Sequence, residues 1–306
     1  MSAPLGELLA ALTPQREKVT AYADDTYLQE TVDQLDRLGV DAAKFAREHS
    51  LLLLKPDAIV ARAVEPTLNW LADNDFRVVC AFRVAVDRHV ARALWYFAWN
   101  IASPERRRLA DLLVGISDVL VFVVRGADAE LPVAVRLTEA KGATDPRKRK
   151  PGELRYLLGR HSYLLNLVHS PDDPADVLRE LAIYLDEHRR ARVIAEVGEG
   201  IDRSSQALAI ANDLYAQAPA RSFDRAAAVE RILGDLAAAG APAEPAFDPA
   251  ADAACAQLLY AAWADGRELD PWSVIVLGSY VLPMRVGTQP QALRPVTAKD
   301  WLEVRP

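Results

Sequence analysis

Three apolar runs constrain this chain more than any other feature: "SLLLLKPDAIV" from residue 50, "FRVVCAFRVAV" from residue 76 and "SDVLVFVVRG" from residue 117. The first is a compact apolar run ended by Lys-Pro-Asp, the profile of a buried strand stopped by proline, and the other two read as strands on the same grounds. Between them lie segments of helical character, "EPTLNWLADNDF", "DRHVARALWYFAW" and "SPERRRLADLL". After the third run come a helix in "AELPVAVRLTEAKG", a polar loop "ATDPRKRKPGELRYLLGRHS", a fourth strand "YLLNLVH" and a last helix "DPADVLRELAIYL". The order is βαβ, then helices, then βαβ. That order predicts an α+β fold, a ferredoxin-like antiparallel sheet with helices over one face.

The flanks differ in character. Residues 5 to 48 carry leucines and other apolar residues at three- and four-residue spacing, so a helical N-terminal extension over 1–49 is expected. Beyond residue 190 the chain is rich in alanine and periodic in "SSQALAIANDLYAQ", "DRAAAVERILGDLAAAG" and "DAACAQLLYAAWADG", with a linker "APAEPAFDPAA" between the last two. The expected division is therefore 1–49, 50–189 and a mainly helical 190–306. The tail "TQPQALRPVTAKDWLEVRP" has too many prolines for a periodic element and is expected to pack as a loop over another surface.

Composition narrows the class. With 51% hydrophobic and 26% charged residues the chain reads as an ordinary soluble globular protein. A net charge of −7 gives no support for bulk nucleic-acid or membrane binding. Cys80 and Cys255 stand far apart, without metal spacing or a disulfide framework, so a reducing compartment, the cytoplasm, is expected. The N-terminus lacks the pattern of an export signal.

Chemistry must come from "NLVHSPDDP", residues 166 to 174, which sets His169 between the fourth strand and a helix. A lone histidine at a strand end is structural in most proteins. Here it stands with a Lys-Pro-Asp at 55–57 and with "GATDPRKRKPGELR" from residue 142. In this order and at these separations, residues 50 to 187 resemble nucleoside diphosphate kinase. "LLLLKPDAIVAR" is similar to that family's first strand and Lys-Pro-Asp, the loop from residue 142 to its Gly-x-Thr-x-Pro segment ending in Pro-Gly-x-x-Arg, and "NLVHSPDD" to its Asn-x-x-His-Gly-Ser-Asp.

The resemblance implies phosphoryl transfer between nucleotides through a phosphohistidine. His169 would be phosphorylated and Glu180 would orient its ring. Lys55 and Arg155 would clamp phosphates, Thr144 would donate to one, and Asn166 would position sugar or phosphate. Tyr96, or Trp95 one residue earlier, would stand beside the histidine, and Arg136 for a phosphate-binding arginine of the helix before residue 142. These are the residue types that phosphoryl transfer needs, since cations and donors must surround the moving charge. Mg²⁺ would arrive on the nucleotide phosphates, with no protein metal ligands, and the family implies a homo-oligomer, for which a dimer is expected here.

The chain departs from the family at Ser170 and Pro171, which replace the glycine and serine after the histidine, and at "SPERRRL", where the family has an aromatic platform for the base. Those departures keep a second reading open: a weak or inactive nucleotide-binding regulatory or scaffold protein.

Overall fold

The computed structural model describes residues 3–127, 130–159, 161–240 and 247–303. Most of the linker, residues 241–246, lies outside them. The sheet has four strands, β1 (His49–Leu54), β2 (Phe76–Val84), β3 (Val119–Gly126) and β4 (Val168–His169), in the order β2-β3-β1-β4. All pairings are antiparallel. This is the expected ferredoxin-like sheet, in which β1 connects to β2 across β3, β2 pairs directly with β3, and β3 connects to β4 across β1.

Leu51, Leu52, Leu53 and Leu54 are all buried because the sheet is covered on both faces, not on one as the sequence suggested. Leu52, Leu54, Phe122 and Val124 face a core shared with helix Val64–Asp73 and with the C-terminal helices Ser204–Gln217, Arg225–Ala238, Asp252–Ala264 and Pro271–Val281. Leu51, Leu53, Val121 and Val123 face a second core built with helix Pro174–Tyr184 and with the N-terminal helices Ala3–Leu12 and Thr26–Arg37. Each such leucine gains roughly 1.5–3 kcal/mol from burial. Continuous apolar runs are therefore what a two-sided sheet demands. On β2 a bulge between Val78 and Cys80 turns both Val79 and Cys80 to the second core.

The fourth strand is shorter than "YLLNLVH" implied. Only Val168 and His169 pair, with Leu54 and Leu53. Leu165 and Leu167 are buried as in a strand, yet they sit in an irregular segment, because Leu167 has a φ of 64°. A burial pattern alone does not distinguish the two. Among the described residues no helix is long and apolar enough to cross a membrane.

Candidate active site

Pro56 opens a short helix, Pro56–Val60, at its first position, where a missing N–H costs nothing. Asp57, fully buried, accepts from the backbone N–H of Leu167 at 2.9 Å and from Lys55 Nζ at 3.2 Å. Lys55 also donates to Leu164 O at 2.9 Å. The Lys-Pro-Asp motif thus fastens the segment before His169 to the end of β1. Burial lowers the Lys55 pKa, with Asp57 opposing. The left-handed Leu167 costs on the order of 1–2 kcal/mol. Its N–H bond to Asp57 holds the turn that delivers His169.

Helix Pro174–Tyr184 is capped by Asp173, whose side chain accepts from the Asp176 N–H, and begins with proline. It buries Val177, Leu178 and Leu181 and carries Glu180 beside the histidine. His169 Nε2 lies 2.9 Å from Glu180 Oε1, and Tyr184 donates to the other carboxylate oxygen at 3.3 Å. A carboxylate only accepts, so Nε2 carries the hydrogen and Nδ1 keeps its lone pair. The far side of the ring agrees. Trp95 Nε1, which can only donate, is 3.4 Å from Nδ1, with the rings edge-on.

Arg155 is buried and ties three segments together. It donates to Gly142 O at 2.9 Å, Thr144 Oγ1 at 3.1 Å and Val168 O at 2.7 Å, and its Nε has no hydrogen-bond partner. Burial and the neighbouring Arg149 push its pKa down to about 10. Arg149 itself donates to Ala143 O, Gly159 O and Thr144 O, so this member of the "RKRK" run organises the loop rather than projecting into solvent. Gly142 has a φ of 88°, and a Cβ there would collide with the Glu153 side chain. Only glycine fits that position.

Lys55, Thr144, Arg155, Asn166, His169 and Glu180 line one cavity of about 790 Å³. Asn166 Nδ2 is spent on Tyr163 O at 2.9 Å. Two expected members lie elsewhere. Tyr96 is 65% exposed and packs edge-on against Phe97, because helix Arg88–Leu94 gives way to a 3₁₀ turn over Tyr96–Ile101 that leaves Trp95, not Tyr96, facing the histidine. Arg136 points away from the cavity, donating to Ala127 O at 2.8 Å and covering the Phe76 ring.

Other wall residues carried no sequence signal as site members. Lys141 and Ser170 line the cavity, as does Arg106, whose guanidinium lies 5.8 Å from the Trp99 ring centre and 5.3 Å from that of Tyr163. Lys18 and Tyr22 reach it from the N-terminal extension. Lys18 pairs with Asp173 at 3.0 Å and Asp176 at 2.8 Å, and the Tyr22 hydroxyl donates to Asp176. Burial pulls the Lys18 pKa down, and Asp173, Asp176 and Asp172 more than offset it. The C-terminal tail also reaches the cavity, with Arg294 near enough to the N-terminal extension to interact with Glu17. Ala292 N donates to Phe97 O at 3.0 Å and Ala298 N to Glu139 Oε1 at 3.0 Å, and the residues between line the cavity. The surface that the proline-rich tail covers is therefore the site itself.

The four-stranded antiparallel sheet thus presents a carboxylate-backed histidine to a cation-lined cavity. Residues 48–189 match the family model for nucleoside diphosphate kinase, and this part of the chain is a nucleoside diphosphate kinase-like domain. The nucleoside diphosphate kinase of Thermococcus kodakarensis is 29% identical over 139 residues, 45% of this chain and 76% of that protein. That of Bdellovibrio bacteriovorus is 27% identical over 146 residues, 48% of this chain and 98% of its own length. Among solved structures, the enzyme from Pyrobaculum aerophilum aligns with a TM-score of 0.39 at 19% identity, over 46% of this chain and 97% of that one.

Proposed function

We propose that the protein is a nucleoside diphosphate kinase-like phosphotransferase that carries the phosphoryl group on His169. The observation that supports it is the pairing of His169 Nε2 with Glu180 at 2.9 Å, which leaves Nδ1 with a lone pair in a cavity lined by Lys55 and Arg155. In the first half-reaction Nδ1 attacks the terminal phosphorus of a nucleoside triphosphate in line. The N–P bond forms, the bond to the bridging oxygen breaks, and the diphosphate leaves with its electron pair. The ring becomes cationic, and the Glu180 carboxylate at Nε2–H stabilises that charge. Trp95 must withdraw its N–H from Nδ1 as phosphorus approaches. The second half-reaction reverses these steps with an acceptor diphosphate.

Arg155 would direct its unpaired Nε to the phosphate chain, and Lys55 and Thr144 would contribute from the same wall. Asn166 would turn its amide oxygen to the sugar or phosphate. Mg²⁺ bound to the nucleotide phosphates would neutralise part of their charge. In this reading the ion would travel with the substrate.

Incubation with γ-labelled ATP and Mg²⁺ tests the reading. Acid-labile phosphate on His169, absent from His169→Ala, is expected. Wild-type protein that stays unlabelled with several triphosphates would refute it. Trp95 seated on Nδ1 favours the second reading, a nucleotide-binding regulatory protein of weak activity, and the same experiment separates the two. Assembly as a dimer belongs to the proposal, and light scattering that returned a strict monomer or a hexamer would count against it.

A further inference from the structure

Lys141 ends helix Val133–Lys141 and is 3% exposed, yet it lines the cavity that holds His169. Its Nζ donates to Ser170 Oγ at 2.6 Å, and Ser170 O is 3.5 Å away. The hydroxyls beyond it form a one-way chain. Thr138 Oγ1 donates to Pro171 O at 2.8 Å, so its hydrogen is spent. Ser170 Oγ must therefore donate to Thr138 Oγ1, 2.9 Å away, and receive from Lys141.

The other buried lysines each have a carboxylate in contact: Lys18 has Asp173 and Asp176, and Lys55 has Asp57. Lys141 has none within ion-pair distance among the described residues. The charged groups around it are Arg155, which repels it, and Asp172 and Glu180, which attract it from further off; His169 is the residue before its partner Ser170. Burial first, and Arg155 second, push its pKa down to about 7. Burying an amine without a counter-charge is expensive, and an apolar side chain would fill the same space at no such cost. An ammonium has three donors, and here one is used at short range.

We infer that Lys141 is a phosphate-binding cation of this site, a buried amine without an ion-pair partner among the described residues that takes up a proton as a polyphosphate supplies the missing counter-charge. It does from the end of the helix what Arg136, turned toward Ala127, does not do from its middle. The inference rests on the phosphotransferase reading for the presence of a polyphosphate, but not on turnover. The proton comes from solvent, and no covalent bond changes.

Calorimetric titration of the full chain with inorganic triphosphate at about pH 8, in two buffers of different ionisation enthalpy, reads both affinity and proton uptake. Wild type is expected to bind with uptake of a substantial fraction of a proton. His169→Ala should do the same, which removes the imidazole as the source. Lys141→Met should bind roughly 10- to 100-fold more weakly and take up no proton, and Lys141→Arg should bind without uptake. Wild-type binding without uptake would overturn the inference even if no Lys141 variant folded. Lys141→Met that bound and took up protons like wild type would overturn it and leave the phosphotransferase reading standing. Wild type that bound no triphosphate would overturn both.

Discussion

His169 is placed by its backbone, and in the proposed reaction the carboxylate behind it would stabilise the ring as it becomes cationic. Glu180→Gln keeps a hydrogen bond to Nε2 but removes the negative charge that stabilises the cationic ring, so phosphorylation by ATP should slow by about 10²-fold or more. Rapid-quench labelling at a rate close to wild type would remove Glu180 from the mechanism. Lys141 gives a second expectation, on stability. Its folded pKa of about 7 lies below its ordinary 10.5. Between those values the unfolded chain holds a proton that the folded chain has released, so stability rises with pH, by up to about 1.4 kcal/mol per unit. Below pH 7 both states hold the proton and this rise is absent. The lowered Lys55 pKa acts in the same sense, while the Cys80 thiol, pushed up by burial and Glu196, opposes it above its ordinary 9.0. Urea unfolding between about pH 7 and 8.5 should show the rise in wild type and a shallower one in Lys141→Met; identical slopes would place the Lys141 charge elsewhere. That Lys55, Thr144, Arg155, Asn166, His169 and Glu180 share one cavity was legible because their spacing follows one motif order. Lys141, Arg149 and Arg106 were not, since a basic residue in a charged stretch reads as solvated until its burial is known. Between Tyr96 and Trp95 the sequence did not decide, because it does not reveal where a helix tightens into a 3₁₀ turn.

At the scale of elements, the first three strands were legible because two-sided burial writes itself as unbroken apolar runs. The fourth was read too long, since Leu165 and Leu167 alternate as in a strand although their burial comes from a turn pinned by Asp57. Helix Pro271–Val281 has no readable period, because Trp272 through Ser279 are buried on every side. The tail was legible only as a loop, and its docking partners, Phe97 and Glu139, lie more than a hundred residues away in sequence. Ala292→Pro tests how it is held. The substitution removes the N–H that bonds Phe97 O at 3.0 Å and Asn100 Oδ1 at 3.2 Å. Limited proteolysis should then cut near residue 290 faster than in wild type, with global unfolding changed by no more than about 1 kcal/mol. Unchanged cleavage would mean that other contacts hold the strap.

Across the whole molecule, both extensions share cores with the sheet. Leu9, Leu12, Leu28 and Leu35 are buried in one, and Ile232, Leu259 and Ile275 in the other. A fragment of residues 50–189 would expose both apolar surfaces and is expected to aggregate or to lack cooperative unfolding. A soluble fragment with a sharp thermal transition would show that the extensions are additions to an independent unit. They also reach the site, through Lys18 and Tyr22 of the N-terminal extension and through Gln291 and Leu293 to Thr297 of the tail, so part of the cavity wall around the nucleoside diphosphate kinase-like domain is supplied from outside it. In the proposed function this enclosed histidine hands its phosphate on. Protein labelled with γ-labelled ATP, freed of nucleotide and mixed with a nucleoside diphosphate, measures that directly. The label is expected to leave His169 and appear in the nucleoside triphosphate; label that stays on the protein, or is released only as inorganic phosphate, would contradict the proposed transfer.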